Sequence, residues 1–235
     1  DIRIKTTFPL SLDEDNSEPI NDAEVRLIKA GEVYPLIASG DEGYYHYPDT
    51  DLSVETGDVF QLEVEHNGIL ATAQTRVPTP TTGLELSLDT LFVPTLPFSA
   101  GRDSIVAFIG NFLRNSSIEA SWDNPNEDLY FMVVESESDT LDPIFPGQVV
   151  ETLARFRFVS EPTREASLTF LGGTLESFGQ YAIRIYHINQ EYADLYENRE
   201  QDSRDLNEPP SNIKNALGVF SAFNSQTDFF ELARE

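Results

Sequence analysis

The chain has 235 residues, 40% hydrophobic and 24% charged, which is enough apolar content for a core and excludes a disordered protein. Its 15 basic residues stand against 41 acidic ones, a formal net charge of −26 that argues against nucleic acid and anionic lipid, since both need a positive footprint. With no cysteine, disulfides, thiolate metal sites and cysteine nucleophiles are excluded together. No window is apolar over the roughly 18 residues needed to span a bilayer. The opening DIRIKTTFPL has no hydrophobic signal core, so the chain reads as a soluble ectodomain, mature or truncated. The acidic surface suits solubility and the attraction of a basic partner.

Residues 1–77 read as a small antiparallel β-domain. Short alternating runs, such as 23–27 and 60–64, are separated by turns at Gly31, Gly40, Gly43, Gly57 and Asn67-Gly68. Asn67-Gly68 predicts a tight hairpin, because both residues tolerate positive φ. Asp13, Asp15, Ser17, Asn21 and Glu24 occupy positions 1, 3, 5, 9 and 12 of a calcium-loop template. Glu18 stands where that loop needs glycine, Pro19 follows, and the flanks read as strands, so an acidic solvated loop is the better reading. Tyr44-Tyr45-His46-Tyr47, followed by Pro48-Asp49-Thr50-Asp51, is a strand with one buried side. Tyr45 or its neighbours are therefore candidates to face out and stack on a ligand, against the plainer reading of a structural strand.

Residues 78–97 read as a linker. Val77-Pro78-Thr79-Pro80-Thr81-Thr82-Gly83 has no packing face, and Pro94 and Pro97 mark a second irregular passage. Between them Leu84, Leu86 and Leu88 alternate as a strand that bridges two units.

Residues 98–235 read as a second sandwich. A strand over 117–122 leads through the acidic turn 123–128 to a run over 129–134 that is apolar on both faces, which predicts a mid-sheet position. Trp122, the only tryptophan, is read as a core anchor rather than an exposed sugar platform. A tryptophan ending one strand before a proline-containing turn and an aromatic strand is similar to a fibronectin type III core. Further strands are expected over 154–160, 166–171 and 180–187. Tyr181, Ile183 and Ile185 alternate with Ala182, Arg184 and Tyr186. The period then lengthens, with Ile188, Tyr192, Leu195 and Arg199 forming a helical stripe, Asn189 as N-cap and Glu191 in the first turn. Pro209-Pro210 breaks the chain, and 211–220 reads as a closing strand in which Gly218 marks a close approach or bulge.

The reactive residues do not cluster. His46, His66 and His187 lie in separate runs, with no H-E-x-x-H and no G-x-S-x-G. Gly172-Gly173 reads as a turn, since no P-loop spacing follows. Carboxylate pairs are so abundant that they carry no signal for glycoside hydrolysis. Asp89-Thr90-Leu91, Asp103-Ser104-Ile105 and Asp139-Thr140-Leu141 resemble the O-glycosylation sites of exported Bacteroidota proteins.

The order strand, polar–aromatic helix, proline, then Ser211, Asn212, Ile213, Leu217, Gly218, Val219 and Phe220 resembles domain-of-unknown-function family 4249 of Bacteroidota. Residues 20–78 carry further likeness in A-x-V, G-Y-Y, G-D-V-F-Q-L-E-V and A-x-T-x-V-P. Asn215-Ala216 replaces the paired glycines usual before the leucine. The resemblance implies a mostly β protein of two sandwiches, transthyretin- or carboxypeptidase-regulatory-like over 1–77 and fibronectin-like over 98–235, the latter finished by the helix and tail. It implies a surface lipoprotein of the outer membrane, anchored through a cysteine preceding Asp1 and encoded near TonB-dependent receptors. The expected role is a non-enzymatic accessory to a β-barrel transporter or another envelope complex, in nutrient capture or assembly. A glycan- or peptide-binding module is the alternative, and a glycosidase or peptidase ranks below both. The family brings no catalytic, cofactor-binding or metal residues to carry over.

Overall fold

A computed structural model describes residues 3–6, 18–40, 42–93, 106–107, 110, 116–138, 142–144, 156–197 and 211–235. The chain is mostly β and divides into two compact units. Unit 1 is Asp1–Thr79 with Asn189–Phe223, and unit 2 is Pro80–Ile188 with Asn224–Glu235.

Unit 1 contains β1 (Arg3–Lys5), β2 (Glu24–Lys29), β3 (Glu32–Ala38), β4 (Tyr44–His46), β5 (Val59–His66) and β6 (Ile69–Arg76), in the sheet order β1-β4-β3-β2-β5-β6. Two tight hairpins set the register. Ala30-Gly31 (φ 53° and 87°) joins β2 to β3, and Asn67-Gly68 (φ 51° and 77°) joins β5 to β6, as the turn chemistry predicts. β3 is shared between two ladders, for its first five residues pair with β2 while only Ile37 and Ala38 meet β4. Val25, Leu27, Leu36, Tyr45, Leu62 and Ala73 form one core cluster against which Ile4 packs. Gly43 is required where β1 meets β4. Its φ is +74°, and a Cβ there would run into the backbone carbonyl of Thr6.

Unit 2 contains β7 (Glu85–Leu86), β8 (Thr90–Val93), β9 (Ser117–Ser121), β10 (Leu129–Ser136), β11 (Asp142–Pro143), β12 (Arg157–Val159), β13 (Ser167–Leu171) and β14 (Ser177–Ile188). The helix α1 (Gln190–Glu197) lies in unit 1, after which β15 (Asn224–Arg234) returns to unit 2. One sheet runs β12-β10-β14-β15-β8, with β11 also on β14, and the other runs β13-β9-β7. β8 lies parallel to β15, and the remaining pairs of unit 2 are antiparallel. Ile118, Ala120 and Phe170 from the small sheet interdigitate with Met132, Val134, Ile183, Ile185, Phe230 and Leu232 from the large one, closing a sandwich. β10 sits between β12 and β14 and is buried on both faces, as its uninterrupted apolar run predicts.

The buried Tyr181 hydroxyl donates to the Ser177 carbonyl at 2.7 Å, four residues upstream. This is the tyrosine corner of immunoglobulin-like and fibronectin-like sandwiches. Burial pushes the phenol pKa up, so the group stays a neutral donor. Tyr181→Phe is expected to cost about 1–2 kcal/mol, because it leaves the carbonyl without its donor. The denaturant midpoint read from Trp122 fluorescence checks this.

Two boundaries differ from the sequence reading. The stretch 78–97 is not a linker up to residue 93. Leu84, Leu91 and Val93 belong to the unit 2 core, and the run at Leu86 pairs with β9 instead of bridging two units. Short strands set between prolines and glycines bury single side chains, so composition alone hides them. The helix and residues 211–223 cluster with unit 1 rather than with the second sandwich, and the closing strand is β15, not 211–220. Only Phe230 and Leu232 of β15 are buried, too few to produce a clear alternation.

Candidate functional site

β6 ends the unit 1 ladder, so its outer edge presents unpaired backbone groups unless something covers it. The returning segment provides that cover. Thr72 N–H donates to the Lys214 carbonyl at 3.2 Å, and Lys214 N–H donates back at 2.8 Å. The Asn215 amide donates to the Leu70 carbonyl at 2.9 Å, and the Asn189 amide donates to the Arg76 carbonyl at 2.8 Å.

The loop that makes these contacts is shaped by its own side chains. Asn212 closes a ring, donating to the Phe220 carbonyl at 2.7 Å and accepting from Phe220 N–H at 2.9 Å. The Ser211 hydroxyl donates to the Ala216 carbonyl at 3.1 Å and accepts from Ile213 N–H at 3.2 Å. Ile213 and Phe220 pack on the unit 1 core. Asn215 takes φ 63°, a left-handed conformation that asparagine tolerates, which explains why a glycine is dispensable there. Leu217 projects from the loop, 61% exposed. Asn212→Ala removes both bonds of the ring. The expected result is exchange of the Thr72 and Lys214 amide hydrogens faster by about tenfold, corresponding to about 1–2 kcal/mol. Hydrogen-exchange mass spectrometry measures it.

Beside this strap lies an open hollow of about 260 Å³ lined by Val59, Gln74, Thr75, Arg76, Asn189 and Glu191. Its centre is Thr75, which is buried. Its hydroxyl donates to the Glu191 carboxylate at 2.8 Å and accepts from the Asn189 amide at 3.1 Å and Ala222 N–H at 3.0 Å. Arg76 is held by the Gly57 carbonyl at 2.9 Å. The polar groups of the hollow thus bond mainly to the protein itself, and they hold a crossing chain in place.

Nearby, Lys29 Nζ lies 2.6 Å from Asp58. That hydrogen bond, then the Glu55 backbone N–H, lowers the Asp58 pKa below its ordinary 3.8. A depressed carboxyl contributes stability that is complete above the unfolded value and is lost as pH falls through the folded one. The melting temperature of Asp58→Asn should therefore lie below that of the parent at neutral pH, with the gap closing below about pH 4. A pH series of thermal melts tests this.

The family model described as Domain of unknown function (DUF4249) matches residues 1–228. The chain belongs to this family. No curated protein matches the DUF4249 chain. Among solved structures it is similar to domains A168–A170 of titin, at 14% identity over 80% of this chain and 53% of that one, with a TM-score of 0.22. It is also similar to the FN1–FN3 domains of chicken CNTN1, at 15% identity over 80% and 56%, with a TM-score of 0.25. It therefore spans little more than half of each of those chains.

The residues singled out in the DUF4249 sequence have separate fates. Trp122 is a core residue, 5% exposed, with its ring tilted on Tyr130 at 5.5 Å. Tyr45 does not face out. It is buried, its hydroxyl donating to the Ile20 carbonyl at 3.0 Å and accepting from Ala23 N–H at 2.9 Å. Tyr44 lies under the Lys5 ammonium at 4.9 Å. Tyr47 meets Tyr34 edge-on at 5.5 Å and donates to Asp51, which together with partial burial pushes its pKa up to about 12.

The histidines have different neighbours. His46 bonds the Ser39 hydroxyl, His66 lies 3.2 Å from Asp22, and His187 stacks on Tyr130 at 4.7 Å with Asp128 at 3.9 Å. Among the described residues no group of three His, Cys, Asp or Glu could hold a metal ion. Asp13, Asp15 and Ser17 of the calcium template lie outside the described residues, while the Asn21 oxygen accepts from Gly43 N–H at 2.7 Å. The acidic turn is built around Asn124, whose side chain bonds Asp128 N–H at 2.8 Å and the Arg164 carbonyl at 2.8 Å. Gly172 opens a 3-10 turn, Gly172–Thr174, as expected. Thr90 of the first O-glycosylation pattern is half-buried in β8, and the other two patterns fall outside the described residues. Sequence reasoning missed the Thr75 junction, because a lone threonine in an alternating strand carries no local signal.

Proposed function

We propose that this DUF4249 chain is the ectodomain of a non-enzymatic outer-membrane lipoprotein, anchored through a cysteine preceding Asp1. It associates with a TonB-dependent transporter or another envelope complex and serves in nutrient capture or assembly. The observation that carries this reading is the use made of the signature residues. Ser211, Asn212, Ile213 and Phe220 shape and anchor a surface loop, and Leu217 is presented to solvent on it. A rigid loop with an exposed apolar tip suits contact with another protein. The three histidines, the residues most often recruited for chemistry, each have a local neighbour of their own.

The test is native co-purification from the cell envelope in mild detergent, followed by mass spectrometry of stoichiometric partners. A barrel transporter or an envelope complex at a fixed ratio is the expected result. A lone monomer would overturn the accessory role and favour a glycan- or peptide-binding module.

A further inference from the structure

The outward face of the unit 1 sheet is unusual for a surface that meets water. In β2, Val25 and Leu27 are buried, so Glu24, Arg26 and Ile28 point out. In β3, Leu36 is buried, so Val33, Pro35 and Ile37 point out, with Val33 55% and Ile37 50% exposed. The register sets Ile28 beside Val33, and Arg26 between Pro35 and Glu63. A sheet with one wet face ordinarily alternates apolar-in and polar-out. Here three successive outward positions of one strand are valine, proline and isoleucine, extended sideways by Ile28. Next to this stripe stands an acidic group. Arg26 is the single cation among Glu24, Glu63 and Glu65, at 4.0, 3.6 and 3.4 Å.

We propose that this face, the stripe Val33–Pro35–Ile37 with Ile28 and the carboxylates around Arg26, docks a protein whose contact surface is apolar and rimmed by lysine and arginine. Charge selects that occupant. One guanidinium against three carboxylates leaves the margin of the stripe along β2 and β5 negative, on a chain of net charge −26, while His46 and Lys5 lie across the stripe on β4 and β1. A second copy carries the same net charge of −26, which opposes its approach to this face. An anionic membrane would be repelled in the same way. Pro35 also disfavours an added strand along β3, because it supplies no N–H. The partner therefore lies on the face. This rests on the reading that the chain works by protein contact, and it adds the contact surface and the partner's chemistry.

The test places a photo-reactive amino acid at position 33 of the full chain in its own cell envelope, with a control at Leu171, which is exposed in unit 2. Cross-linked peptides are then mapped on the captured protein. The expected result is an adduct from position 33, absent from position 171, mapping to an apolar segment flanked by lysine or arginine. Ile37→Asp and, separately, Glu63→Lys should each reduce its yield by roughly tenfold or more. Ile37 is exposed, so Ile37→Asp should leave the melting temperature near that of the parent, whereas Glu63→Lys sets a lysine opposite Arg26 and should lower it slightly. No adduct, equal adducts from both positions, adducts to a second copy or to lipid, or a contact lacking basic residues would each overturn the proposal. A non-barrel partner captured here would overturn only the transporter assignment. A transporter that cross-links elsewhere would overturn only this surface.

Discussion

Trp122→Ala is expected to lower the stability of unit 2 by about 3–5 kcal/mol, the range for removing a large aromatic from a core. The indole is 5% exposed and leans on Tyr130 at 5.5 Å, and Tyr130 in turn stacks on His187 at 4.7 Å. Removing it leaves a cavity between the two sheets that rigid strands cannot collapse to fill. Among the described residues the buried indole N–H has no hydrogen-bond partner, a burden on the native state. Trp122→Phe also leaves a void but removes that unsatisfied donor, so its cost should be smaller, about 1–2 kcal/mol. Urea titrations followed by far-UV circular dichroism measure both, since the only tryptophan is lost. A change below about 1 kcal/mol for Trp122→Ala would contradict its role as anchor and revive the exposed-platform reading.

Thr75→Val should cost about 2–4 kcal/mol and act mainly on the returning segment of unit 1. Valine keeps the shape but loses the hydroxyl. The Glu191 carboxylate then loses a donor at 2.8 Å, and the Asn189 amide and Ala222 N–H lose their acceptor. Thr75→Ser keeps the hydroxyl and should fall within about 1 kcal/mol of the parent. Thermal melts with peptide-resolved hydrogen exchange over 189–197 and 211–223 separate the two variants. Equal protection of this segment in Thr75→Val and the parent would show that the junction is not what holds it.

The sequence by itself determined what depends on a few neighbouring residues. Asn67-Gly68 specified a hairpin because its backbone must take positive φ, and it does, at 51° and 77°. The uninterrupted apolar run of β10 specified a strand buried on both faces, since a surface strand would alternate. Trp122 could be placed in a core from size and context, and Ser211–Phe220 could be tied to its family by residue identity alone.

Only the tertiary structure decided which unit a segment joins and which face of a strand is buried. Alternation in Tyr44–His46 defines two faces but does not name the inner one, and Tyr45 proved to be inside. The tail follows β14 in the chain, yet it packs on β6. The bond from Thr75 to Glu191 spans 116 residues and the bond from Asn215 to Leu70 spans 145. Such a choice is made by the edge that needs covering and the groups that can cover it. Those groups meet only when the chain has folded, so no local window of sequence contains the information.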